Sequence, residues 1–177
     1  LKENILFVVA GEIALNGKLP PQLARIAKHG GSLADYATKV NVSDQFLFLG
    51  HVNESSAVLA ASDVLLKPTR GNNPWGRDIL EAMANELPVA SVGRYKKFVE
   101  TGQTGLLQDA FDAQEVADWL TKLDADRDYL NVLGRKAKAR IVALCDPADR
   151  AWDILKFWHD VAQRSADPDD LGLGASL

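Results

Sequence analysis

The sequence predicts an α/β domain, an open parallel sheet with helices on both faces. Three observations predict it. Apolar runs of strand length alternate with segments of helical spacing, the pattern of strand–helix–strand units. The runs at 5–10 and 46–50 are apolar throughout, as in strands buried on both faces. Loop-forming residues follow the strand ends at Gly11, at 50–53, at 68–76 and at Gly93. Parallel α/β sheets bind their ligands at that edge.

The elements follow in order. The run 5–10 is a strand stopped by Gly11, and 17–21 is a loop. Residues 22–40 hold helical spacing, and Gly30-Gly31 divides them into two helices. A second buried strand occupies 46–50, a short helix 55–62 and a third strand 63–67, stopped by Pro68. A helix at about 76–85 precedes a strand at 88–91. A helical turn is expected at 96–100 and a last strand at 104–108. Residues 113–123 are amphipathic, with Val116, Ala117, Leu120 and Leu123 on one face. Further helices are expected at 127–144 and 147–163, the latter carrying Trp152, Leu155, Phe157 and Trp158. The folded domain should span 1–164, and the Asp- and Gly-rich tail 165–177 should be disordered.

The totals narrow the function. A chain of 177 residues suits one domain. Lys plus Arg number 20 against 24 Asp plus Glu, a net charge of −4. That argues against a general nucleic-acid or anionic-membrane binder, since both need a positive surplus. Cys145 is the single cysteine, so an internal disulfide is impossible. A cytoplasmic location is expected from this cysteine usage. No apolar run reaches the roughly 18 residues of a membrane span. The first residues do not read as a signal peptide. They enter an apolar run so abruptly that a longer parent chain is expected.

The most informative stretch is Asn73-Pro74-Trp75-Gly76-Arg77-Asp78-Ile79-Leu80-Glu81. A polar loop runs into a helix that carries a carboxylate in its early turns. Free N–H groups at a helix start can hold phosphate oxygens. A carboxylate slightly deeper can accept hydrogen bonds from a ribose diol. Glu81 therefore reads either as a ribose acceptor or as the i, i+4 surface partner of Arg77. Gly76 allows close backbone approach. Asp78 reads either as a competitor for the phosphate's donors or as a first-turn acid favoured by the helix dipole. Arg70 and Arg77 are phosphate partners or solvated surface groups. Gly11 either clears space for a diphosphate or makes a plain turn, and His51, at a strand end, either lines the cleft and the substrate or has no role in it.

Other chemistries lack their motifs. No Gly-x-Gly-x-x-Gly follows the first strand, and no Walker-type Gly-Lys-Ser/Thr occurs. His29, His51 and His159 match no metal-ligand spacing. No Gly-x-Ser-x-Gly nucleophile elbow is present. Cys145 has no nearby His and reads as inert. Trp152 and Trp158 read as packing residues, or as part of an interface with a neighbouring domain.

Together these pieces carry a resemblance. In order they are Phe7-Val8-Val9-Ala10-Gly11, Phe48-Leu49-Gly50-His51-Val52, Ala60-Ala61-Ser62-Asp63-Val64, Lys67-Pro68-Thr69-Arg70, Gly76-Arg77-Asp78-Ile79-Leu80-Glu81-Ala82-Met83-Ala84, Leu87-Pro88-Val89-Ala90 and Val99-Glu100-Thr101-Gly102-Gln103-Thr104-Gly105-Leu106-Leu107. Over about residues 5–163 the chain resembles the C-terminal, donor-binding half of a glycosyltransferase family 4 enzyme, a retaining transferase of the GT-B fold. In that family a nucleoside-diphosphate sugar lies between two Rossmann-like domains. The resemblance implies that Glu81 holds the ribose and that the amides of Trp75, Gly76, Arg77 and Asp78 meet the diphosphate and sugar. It places Val52 at the base, Ile79 near the ribose and phosphates, and Gly11 near the phosphates.

Two departures accompany it. The first glutamate of the family's Glu-x7-Glu motif falls at Asn73, which can hydrogen-bond sugar hydroxyls but brings no negative charge. The resemblance also implies that this sequence starts after the strand and helix that usually open the donor domain, with an Arg and a Lys for the diphosphate, and without the N-terminal acceptor domain. The resemblance implies transfer to a hydroxyl acceptor without metal or bound cofactor, and it implies that this chain alone is inactive. Two other readings stay open. One is a non-catalytic nucleotide- or sugar-binding domain, consistent with Asn73. The other is a GT-B-type sugar-nucleotide epimerase, which the Glu81-Ala82-Met83-Ala84 context fits less well.

Overall fold

The computed structural model describes residues 5–69 and 71–165. Its elements are β1 (Phe7–Ala10), α1 (Pro21–Ala27), α2 (Leu33–Lys39), a 3-10 turn (Ser43–Gln45), β2 (Phe46–Gly50), α3 (Ser55–Ala60) and β3 (Leu65–Lys67). They continue with α4 (Arg77–Ala84), β4 (Val89–Val92), β5 (Gly105–Gln108), α5 (Ala113–Ala125), α6 (Arg127–Cys145) and α7 (Pro147–Ser165). The α/β class is as expected, with parallel strands and helices on both sides. From residue 166 on, the expected tail lies outside the described residues, as does Arg70.

The strands form two sheets rather than one. β1 pairs with β2, and β3, β4 and β5 form a separate ladder in that order, all parallel. No hydrogen bonding joins the two among the described residues. Strand β4 is central to its ladder, and all four of its residues are buried. Strands β1 and β2 correct the expectation of burial on both faces. Phe7 stacks on Phe46 and Phe46 on Phe48 along one face, with centroids 5.1 and 5.8 Å apart. On the other face Val8, Leu47 and Leu49 remain 40, 45 and 39% exposed. An apolar run permits burial but does not specify the neighbour that supplies it.

Local chemistry accounts for the breaks. Ser32 and Asp35 form a reciprocal capping box that starts α2 just after Gly30-Gly31. Asp112 caps α5 by accepting from the N–H groups of Gln114 and Glu115. The helical turn expected at 96–100 is instead a non-helical turn. There Thr104 Oγ1 accepts from Glu100 N and donates to Phe98 O, which holds the segment open beside β5.

The core sits between α4, β4 and α6. Ile79, Met83, Val89, Val99 and Ala137 are fully buried together, with Leu87 and Ile141 nearly so. Helix α6 meets the turn that ends α4 so closely that a Cβ on Gly134 would lie 2.0 Å from the Glu86 carbonyl oxygen. Helix α4, which carries the candidate site, is thus fixed from below. Helix α7 is different. Its Trp152, Phe157 and Trp158 are 72, 64 and 64% exposed, so packing within the described residues does not explain them. No described helix is long and apolar enough to cross a membrane.

Candidate functional site

The loop from β3 to α4 is built by side chains at both of its ends. Thr69 Oγ1 accepts from Asn73 N at 3.1 Å and closes the loop's first half. Pro74 is buried against Gly93 at the end of β4, where a Cβ would come within 2.6 Å of Pro74 Cδ. Asn73 and Trp75, on either side of this anchor, are exposed. Gly76 then enters α4 with φ +154°, a backbone conformation that only glycine adopts readily.

Among the described residues, the start of α4 has donors with no side-chain cap. Its first intrahelical bond runs from Leu80 N to Gly76 O at 3.1 Å, so the amides of Arg77, Asp78 and Ile79 have no helical acceptor. Gly76 has no side chain with which to cap them. The hydrophobic face of the helix is anchored by Ile79, Ala82 and Met83, all fully buried. The Ile79 side chain therefore belongs to the core, and only its backbone amide lies at the helix start.

Asp78 does not cover those amides. Its carboxylate pairs with Lys67 Nζ at 2.6 Å, and the same ammonium donates to Trp75 O at 3.0 Å. Glu81 has its own partners. Oε1 lies 3.4 Å from Arg77 Nε, the i, i+4 surface pair, and Oε2 accepts from Ser55 Oγ at 3.1 Å. The Glu81 side chain remains 39% exposed, so a ligand hydroxyl can reach it by replacing these weak contacts.

The Ser55 bond links two parts of the chain. Ser55 opens α3, just after Gly50, His51 and Val52 at the end of β2, and so brings that segment toward α4. His51 is exposed and Val52 half-buried. Gly11 N donates to Gly50 O at 2.6 Å, which places Gly11 at the same strand edge as Gly50. The sequence reading gave Ser55, Lys67 and Thr69 no role in the site, although Lys67 and Thr69 lie in one of its motifs. Lys67 had a legible signal, a cation in an otherwise apolar strand before Pro68. Ser55 had none, because its partner is 26 residues away. No cluster of three or more potential metal ligands occurs among the described residues. A shallow depression lined by Arg25, His29, Asp35 and Lys39 shares no residue with this site.

The family model described as "Glycosyl transferases group 1" matches residues 1–140. The chain belongs to the glycosyl transferases group 1. N-acetyl-alpha-D-glucosaminyl L-malate synthase of Bacillus anthracis is 30% identical over 104 residues, 58% of this chain and 27% of that protein. The lipopolysaccharide core biosynthesis glycosyltransferase LpsE of Rhizobium meliloti is 29% identical over 113 residues, 63% of this chain and 33% of that protein. The chain thus matches a third or less of these relatives' length. Among solved structures, Anabaena Alr3699/HepE in complex with UDP superposes with a TM-score of 0.74 at 21% identity, covering 89% of this chain and 42% of that one. The sucrose-phosphate synthase of Thermosynechococcus elongatus gives 0.70 at 23% identity, covering 88 and 38%. At these identities the structures show that this group 1 chain shares their fold.

Proposed function

We propose that this chain is the donor-binding half of a retaining glycosyltransferase of family 4, moving a sugar from a nucleoside diphosphate to a hydroxyl acceptor. The carrying observation is the start of α4, where uncapped amides lie one turn before the accessible carboxylate of Glu81. Those amides suit the diphosphate, and Glu81 suits the ribose 2′ and 3′ hydroxyls. Val52 and His51 line the base side, and Gly11 the phosphate side. Arg77 moves from Glu81 to the phosphates, and Arg70 is a second cation for them. Trp75 and Asn73 face the donor sugar.

As the glycosidic bond breaks, negative charge grows on the diphosphate. Backbone dipoles already aimed at it lower the barrier without reorganisation. The aligned stretches make up only 27 and 33% of these relatives, which supports an acceptor domain and an opening strand–helix unit elsewhere in a parent chain. A parallel strand between the two separate sheets would join them into one. The exposed apolar face of α7 suits packing against that acceptor domain. The chain by itself then binds donor without transferring sugar.

Calorimetry of the chain with UDP, GDP, ADP and CDP tests donor binding, and failure to bind any of them refutes the proposal. Transfer is tested in a parent chain carrying these residues, comparing Asn73 with Asn73→Glu. A second reading, binding without transfer, is favoured by the neutral Asn73. It is selected if the Asn73 parent binds donor but transfers only after Asn73→Glu.

A further inference from the structure

We propose that Lys67 is a positioning residue for diphosphate binding, aiming the Gly76 amide at the ligand and drawing the Asp78 carboxylate away from it. The inference rests on the donor-binding reading above and adds a residue to it. Lys67 is the last residue of β3, and its side chain is only 15% exposed. Its ammonium bridges the two ends of the loop, donating to Trp75 O at 3.0 Å and pairing with Asp78 Oδ1 at 2.6 Å.

The consequence follows from peptide geometry. In a planar trans peptide, C=O and N–H point in opposite directions. No cis bond occurs among the described residues. With Trp75 O held on Lys67, the Gly76 N–H must face away from Lys67. The second contact answers the problem posed by a first-turn acid. An Asp78 carboxylate free to swing over the helix start would repel a phosphate and occupy its donors. Paired with Lys67 it does neither. Glycine is required under this bridge, because a Cβ at position 76 would lie 2.5 Å from Lys67 Nζ and 2.6 Å from Asp78 Oδ1.

The test compares a nucleoside diphosphate with its own nucleoside. The chain is titrated with UDP and with uridine, or with the best-bound of the four diphosphates above and its nucleoside. The variants are Lys67→Met, Lys67→Arg and Lys67→Met/Asp78→Asn. The double variant leaves no unpaired carboxylate, so it keeps the test open if Lys67→Met fails to fold. Lys67→Met and the double variant are expected to weaken the diphosphate at least fivefold while changing nucleoside affinity less than twofold. Lys67→Arg, which can reach both acceptors, should recover most of the loss. Hydrogen exchange at the Gly76 and Arg77 amides of the ligand-free chain should quicken in both Met variants. An unchanged ratio of diphosphate to nucleoside affinity in the double variant overturns the proposal, and so does equal loss for both ligands. If the unsubstituted chain binds no diphosphate, it is the donor-binding reading that fails.

Discussion

Replacing Glu81 by Ala separates a ribose ligand from a surface ion-pair partner. Two hydrogen bonds from a ribose diol to a carboxylate contribute about 1.5–2 kcal/mol each. Before the ribose arrives, that carboxylate is held by Ser55 at 3.1 Å and Arg77 at 3.4 Å. These half-exposed contacts are each worth about 0.5–1 kcal/mol and are given up on binding. The net loss on Glu81→Ala is therefore about 1–3 kcal/mol, or roughly 5- to 150-fold in affinity. Calorimetry of both proteins with UDP and with 2′,3′-dideoxy-UDP reads it directly. The variant should lose affinity for UDP and almost none for the dideoxy ligand. Equal losses for both ligands, or a UDP loss below threefold, would refute the ribose assignment and leave Glu81 as Arg77's partner. Thermal stability should barely move, since neither contact is buried.

Three other outcomes follow from the same geometry. Gly134→Ala sets an intrinsic helix gain of about 1 kcal/mol against an overpacking cost of up to about 3 kcal/mol. Its Cβ would sit 2.0 Å from Glu86 O, so thermal denaturation should show a net loss, and a raised Tm would contradict the packing of α6 on the turn after α4. Gly93→Ala meets Pro74 and forces an alanine to φ +139°, a strain of about 1–3 kcal/mol. Diphosphate affinity should fall with it, as measured by calorimetry, because the displaced loop carries the helix start. The Asp35 carboxyl is held below the ordinary carboxylate range, first by the Ser32 N–H and then by the Ser32 hydroxyl. Because the folded-state pKa is the lower one, the α2 capping box contributes fully above the unfolded-state value of about 3.9. Its contribution disappears as pH falls through the folded-state value. An NMR titration should place the Asp35 midpoint below 3.9 by this reference scale and move it upward in Ser32→Ala.

Much of the fold was legible because its causes are local. The order of strands and helices follows from apolar runs, helical spacing and Gly30-Gly31, and those depend on neighbours within a few residues. The Thr104 hydroxyl spoiled the expected turn at 96–100 because it bonds backbone four and six residues away. The sheet's division and the open faces of β1 and β2 were not legible, since burial depends on what else packs nearby. In the site, Glu81 and the Gly76 turn could be read from spacing. The Arg77 partner of Glu81 could be read too, but Ser55 beside Glu81 and the Pro74–Gly93 contact could not.

The sequence by itself determined a parallel α/β chain with a polar loop entering a helix that bears Glu81, and the motif order of a group 1 glycosyl transferase. Only the tertiary structure set Lys67 against Asp78 and joined Ser55 to Glu81 across 26 positions. It also fixed Pro74 on Gly93 and Glu86 on Gly134. The physical reason is that periodicity and turn chemistry act along the chain. Ion pairing and close approach depend on distance in space, which exists only once the elements have packed.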